Sequence, residues 1–275
     1  MIYKSFKVLS FIFVSIFSCQ NPSPENQKKL FPKNIKVFDL NIFASASTSD
    51  AKIVHAAKIL AQYLDNDEDG VVDNKLVHSM LKSRNASLVM FNNEFEAEIA
   101  WRSGAYEFPE NSQALFDEET IPSFDKSNSN QRFDASLEEI LHLITHEGYS
   151  HVYSELKEEK GSLISVAMDV ARGGYFISPP NRYPNVAWYS YDDVTCSYDC
   201  MIAEYFYWAL TSILGAQSYP GRFDEIGHEW KLNTKEKVMN SDSLIYSLLT
   251  DSKFNLPKVL PDNKYAGFDI KLSNK

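Results

Sequence analysis

Asp65-Asn66-Asp67-Glu68-Asp69-Gly70-Val71-Val72-Asp73-Asn74 sets oxygen donors at the spacing of a calcium loop. Asp65, Asp67 and Asp69 stand at positions 1, 3 and 5 of such a loop, Gly70 makes the sharp turn at 6, Val71 offers its carbonyl at 7, and Asp73 falls at 9. Carboxylates this close repel one another, and a cation relieves the repulsion. Leu76 stands at position 12, where a bidentate acid is expected, so an acid from elsewhere completes the shell or binding is weak. The alternative is a solvated acidic turn.

Outward from the loop the pattern is helical on both sides. Ile53, Ala56, Ala57, Leu60 and Leu64 recur at helical spacing before it, and Leu76, Val77, Met80 and Leu81 do so after it. Helix, loop, helix is the EF-hand order, and residues 65–76 resemble an EF-hand or dockerin-like calcium loop. The string is also similar to one thrombospondin type 3 repeat, but no second copy follows. The expected fold class is mainly α: a single helical domain over residues 35–275, with this helix-loop-helix and long ordered loops.

At the N-terminus, Lys4 and Lys7 precede an apolar run from Val8 to Phe17, and Ile16-Phe17-Ser18-Cys19 is similar to a bacterial lipobox with Cys19 as the lipidated residue. The run is too short to span a bilayer. Residues 1–18 therefore read as a lipoprotein signal peptide, or otherwise as a plain secretory signal. Residues 19–34 are polar and Pro-containing, and read as a flexible tether. The expected location is the bacterial cell envelope, lipid-anchored and facing the periplasm or the exterior.

Of 27 basic and 37 acidic residues, the signal peptide removes only Lys4 and Lys7, leaving a net charge of −12. Nucleic acid is excluded as a natural partner by that sign. The 44% hydrophobic content supports a real core. Beside Cys19 there remain Cys196 and Cys200, which in an oxidising compartment form a disulfide; their spacing at a helix start brings the Cα atoms within reach. Metal ligation by this pair is disfavoured, because zinc cysteines come as C-x2-C with a second pair.

Residues 134–156 hold the candidate chemistry. Ser136 and Glu139 form a capping-box pattern, so a helix begins there. At about 100° per residue, Leu137, Ile140, Leu141, Ile144, Gly148, His151 and Val152 share one stripe, and Glu138, Glu139, His142, His146, Tyr149 and Tyr153 share the other. His142 and His146, four apart, have the spacing of two imidazoles on one zinc ion. His146-Glu147-Gly148-Tyr149-Ser150-His151 is similar to HExxH with one residue too many, and five residues of regular helix turn His151 away from His146. Glu204, an acid among apolar neighbours in Asp199-Cys200-Met201-Ile202-Ala203-Glu204-Tyr205-Phe206-Tyr207-Trp208, is a third ligand candidate.

Together, His142, His146 and Glu204 resemble the ligand set of gluzincin metallopeptidases. That resemblance implies zinc, a water in the open position, and Glu147 or Glu139 as general base. The chain departs from the family at the base, since Leu143 stands where the zincin glutamate belongs. Two Glu-x-x-His steps, Glu139 to His142 and Glu225 to His228, are similar to di-iron bundles, but the turn at 217–221 keeps Glu225 from meeting Glu204.

The segment from Arg172 to Asp193 is rich in aromatics without periodicity. It reads as an ordered loop that covers the core or lines a cleft for peptide or carbohydrate. As a whole the chain resembles a family of calcium-loop lipoproteins of environmental bacteria, on the DNDEDGVVDN loop and the helices around FDASLEEILHLITHEGY and EYFYWALTSILGAQ. The expectation is a lipid-anchored calcium-binding protein with a candidate zinc-dependent peptidase-like site. The opposing reading is a calcium-binding surface lipoprotein without catalysis.

Overall fold

The computed structural model describes residues 30–103, 108–128 and 131–274. Between Lys33 and Ala44 apolar residues alternate with polar ones, burying Ile35, Val37, Leu40, Ile42 and Ala44. This period builds strands β1 (Lys33–Val37) and β2 (Leu40–Ala44), joined by Phe38 and Asp39 at φ +46° and +65°. Two consecutive positive φ values make the two-residue turn that matches strand twist, and the pair is antiparallel with Val37 opposite Leu40.

Two further strands, β3 (Ser87–Phe91) and β4 (Ser112–Phe116), run parallel to β2, and a two-residue β5 (Ser273–Asn274) pairs with β1; the order is β4-β3-β2-β1-β5. All five residues of β3 are buried. Leu88 and Met90 join the main core, while Val89 and Phe91 pack with Phe31 and Ala100 on the opposite face. A strand covered on both sides loses its alternation.

The expectation of a mainly α chain is therefore corrected: the fold is mixed α/β, 44% helical and 9% strand, organised by a mixed sheet. The tether expected over 19–34 ends earlier, since Phe31 is buried and Lys33 and Asn34 belong to β1. The signal peptide, Cys19 and the rest of that tether lie outside the described residues.

Helices α1 (Asp50–Leu64) and α2 (Lys75–Ser83) form the crossover from β2 to β3, so the acidic loop is the bend of that crossover. Helix α3 (Glu94–Arg102) links β3 to β4. Helix α4 (Ser136–Ile144) packs on β4, on α1 and on α6 (Tyr198–Leu214); between the last two comes α5 (Leu163–Ala171). Short helices α7 (Arg222–Ile226), α8 (Lys235–Ser241) and α9 (Ser243–Leu249) close the order. The aromatic loop covers the core: Tyr189 and Tyr191 are buried, the Tyr189 hydroxyl donates to the Met201 carbonyl, and Trp188 Nε1 donates to Asp242. Cys196 and Cys200 are disulfide-bonded at the start of α6, with Cα atoms 5.4 Å apart.

Helix α4 departs from its sequence reading in two ways. No capping box forms: the Ser136 hydroxyl donates to Asp134 and lies 3.1 Å from His55 Nε2, while Glu139 turns to Gln113. At Thr145–Tyr149 the ladder widens to a π turn, which absorbs the one extra residue of the His146–His151 string. The turn packs against α2 so tightly that a Cβ on Gly148 would lie 2.7 Å from Val77 Cγ1.

Gly to Ala inside a helix ordinarily gains about 1 kcal/mol. Here Val77 is β-branched and buried, so it has little freedom to withdraw. Gly148→Ala should lower stability by about 1–3 kcal/mol in thermal or urea melts, and adding Val77→Ala should recover part of that loss. A more stable Gly148→Ala protein would contradict this contact.

Candidate metal centres

The acidic loop is built from its first residue. Asp65 ends α1 and is 0% exposed. Its Oδ1 accepts from the Asp69 amide at 3.1 Å, and its Oδ2 accepts from the Gly70 amide at 2.9 Å and the Tyr265 hydroxyl at 2.5 Å. Gly70 holds φ +87°, a conformation that favours glycine. The Asp73 carboxylate accepts from the Asn66 amide, its own amide closes on the Leu64 carbonyl, and Asn74 caps α2 through Val77.

Asp65, Asp67 and Asp73 each offer a carboxylate oxygen, all within 4.8 Å of one another. Burial, and then the charges of Asp67, Asp65 and Asp69, raise the Asp73 carboxyl above its ordinary range against the Asn66 hydrogen bond. Asp69 instead accepts from the Val71 amide, so it is not among the converging three. Leu76 is 64% exposed and supplies no ligand.

A C-terminal segment straps this loop. Asn66 Oδ1 accepts from the amides of Lys258 and Val259, Gln62 Oε1 from those of Asp262 and Asn263, and Glu68 from that of Ala266. Asn255 donates to the Asp73 carbonyl. These partners are about 200 residues apart in sequence, so local pattern carried no sign of them.

The second centre lies between α4 and α6. His142 is 4% exposed and Glu204 is 3% exposed, and His142 Nε2 stands 3.5 Å from Glu204 Oε1. The third member is Glu138, one turn before His142 on α4, whose Oε1 is 4.0 Å from Nε2. Burial pulls His142 down, but the Glu204 carboxylate, then Glu139 and Glu138, outweigh it, so the ring is pushed up to about 10. Burial first, and Glu204 next, push Glu138 up to about 7. The Glu139 carboxyl is raised well above its ordinary value by burial and then by Glu138.

His146 does not join this centre. The switch to π geometry begins at Thr145, between the two histidines, so the regular step that would align them ends before the second. His146 is half-buried, and its Nδ1 lies 2.5 Å from Glu158 Oε2. Glu147, a candidate base, is paired with Arg84 at 2.5 Å, and Glu139, the other, accepts from Gln113. His142 and Glu204 thus meet as the sequence suggested, while His146, Glu147 and Glu139 face other partners. Glu138 was legible only as a polar-face neighbour of His142, at the i, i+4 spacing that brings two helical side chains together. No family model matches this chain, and no curated protein or solved structure shows a significant match to it.

Glu139 gives a test by pH. A carboxyl whose folded pKa is raised stabilises the fold fully below its unfolded value, near 4.5, and that stability is lost as pH climbs toward the folded value. In chelator, Glu139→Gln should therefore gain stability relative to the parent from pH 5 to pH 8, by up to about 1.4 kcal/mol per pH unit inside the window. A difference that stays flat with pH would contradict the buried, protonated carboxyl.

Proposed function

We propose that this chain is a lipid-anchored, calcium-binding protein of the cell envelope in which the ion serves structure, with no peptidase-like catalysis. The observation that carries the reading is the set Asp65, Asp67 and Asp73, whose oxygens gather within 4.8 Å around a carboxylate that is itself wholly buried. Three carboxylates at that distance favour a hard divalent cation with oxygen ligands. The turn at Gly70 and the Asp65 hydrogen bonds from residues 69 and 70 further support the calcium scheme.

The peptidase-like reading required two imidazoles and a free base. Its second histidine is held by Glu158 and its preferred base by Arg84. Among the described residues no helix is long and apolar enough to cross a membrane. Attachment therefore rests on the lipobox reading, and Cys19→Ser should free the protein from membrane fractions.

Calcium should raise the melting temperature of the chelator-treated protein, because an ion that binds only the folded state stabilises it by about 2.7 kcal/mol at a hundredfold excess over Kd. Asp65→Asn should abolish the shift. Equal melting with calcium and with chelator would overturn the reading.

A further inference from the structure

We propose that Glu138, His142 and Glu204 form a second metal centre, which holds one divalent first-row transition ion between α4 and α6. It is independent of the acidic loop, shares no residue with it, and has a different donor set. Three groups on two helices each offer one ligand atom, and these atoms lie within 4.8 Å of one another.

Donors on one tetrahedral ion, at bonds near 2.0–2.1 Å, are separated by about 3.4 Å. The His142 Nε2 to Glu204 Oε1 distance of 3.5 Å has that value already. Glu138, at 4.0 Å, must close by about 0.6 Å to reach that separation, and its side chain is 18% exposed, so it forms the lip of the site.

An independent observation marks the ion's place. His142 Nε2 is buried and has no hydrogen-bond partner. Glu204 Oε1 faces it at 3.5 Å, beyond ordinary hydrogen-bond length. A buried polar atom without a partner of ordinary hydrogen-bond geometry is costly, whether it carries a proton or a lone pair. A metal ion bound at Nε2 uses the lone pair of the neutral ring and removes that cost. Charge points the same way: two carboxylates and a neutral imidazole around a divalent ion sum to zero, which suits a buried position.

The donor set selects the class of ion. One imidazole with two carboxylates suits zinc, iron or manganese better than calcium, whose sites use six to eight oxygens. The surroundings supply orientation. The Tyr207 phenol bears on Glu138, Gln217 Nε2 donates to the Tyr207 hydroxyl at 3.1 Å, and Arg222 Nε donates to Gln217 Oε1 at 2.8 Å. Such outer partners fix the geometry of metal ligands. The His142 ring also packs against Tyr207, centroid to centroid 5.6 Å.

The test uses the full chain, stripped with chelator and titrated with cobalt(II) in the presence of excess calcium, which keeps the acidic loop out of the measurement. Cobalt should bind with one-to-one stoichiometry, give visible d–d absorption, and raise the melting temperature. His142→Gln and Glu204→Gln should abolish the absorption, while Asp67→Asn, at an exposed position of the acidic loop, should leave it unchanged. Should either buried variant fail to fold, Glu138→Gln at the lip and Tyr207→Phe behind it take its place; Tyr207→Phe should lower affinity by about 10–100-fold. The proposal is overturned if the parent protein shows no saturable cobalt spectrum. It is also overturned if the spectrum survives in Glu138→Gln and Tyr207→Phe at unchanged affinity, or vanishes in His146→Ala, which would move the ion to the half-buried pair His146 and Glu158.

Discussion

A carboxylate with no exposed surface, Asp65, is the constraint around which this half of the molecule is arranged. Burying a charge is costly unless it is paired or hydrogen-bonded. Asp65 meets that cost with two loop amides and the Tyr265 hydroxyl. The amides require the tight turn at Gly70, and the hydroxyl requires the C-terminal strap to lie across the loop. The same strap continues toward β5, which adds the last strand to the sheet beside β1. One buried acid thus ties the β2–β3 crossover, the chain end and the sheet edge together.

The two centres divide the polar groups of the core by chemistry. The loop gathers oxygen donors on the bend between α1 and α2, with Asp67 exposed beside Asp65. The α4–α6 cluster mixes an imidazole with carboxylates between two helices that are buried nearly all round. Both gather like charges, so both depend on protons or cations to persist. Elsewhere the core pairs polar groups directly, His55 Nε2 with Asp134, Tyr205 and Trp188 with Asp242, and an Arg172 terminal nitrogen with Asp169, although His55 Nδ1 and Arg172 Nε stay without a partner.

The acidic loop was legible because its donors and its glycine lie within ten consecutive residues. Glu204 stood out as an acid among aromatics, and its meeting with His142 follows the sequence reading. The sheet was not legible in the same way. Ser87–Phe91 is a short apolar run without alternation, which periodicity cannot separate from buried helix, and Lys33–Ala44 alternates over only five residues per strand. The polar stripe read on α4 does gather Glu138 and His142, but the helix is covered on both sides, so that stripe is a buried cluster. The π turn left its trace in the one residue too many between His146 and His151, but its place could not be read locally, because the need for Gly148 comes from Val77 more than seventy positions upstream. The π turn takes His146 out of line with His142, and Glu138, at i, i+4 from His142, stands where the sequence pattern points to the second histidine.

Hydrogen exchange of the full chain, followed by mass spectrometry with calcium and with chelator, addresses the central claim most directly. If calcium fills the Asp65–Asp67–Asp73 loop and so locks the strap, protection should rise in segments 62–74 and 255–267 together, and Asp65→Asn should remove the rise in both. Protection of the strap that is identical with calcium and with chelator would contradict the account.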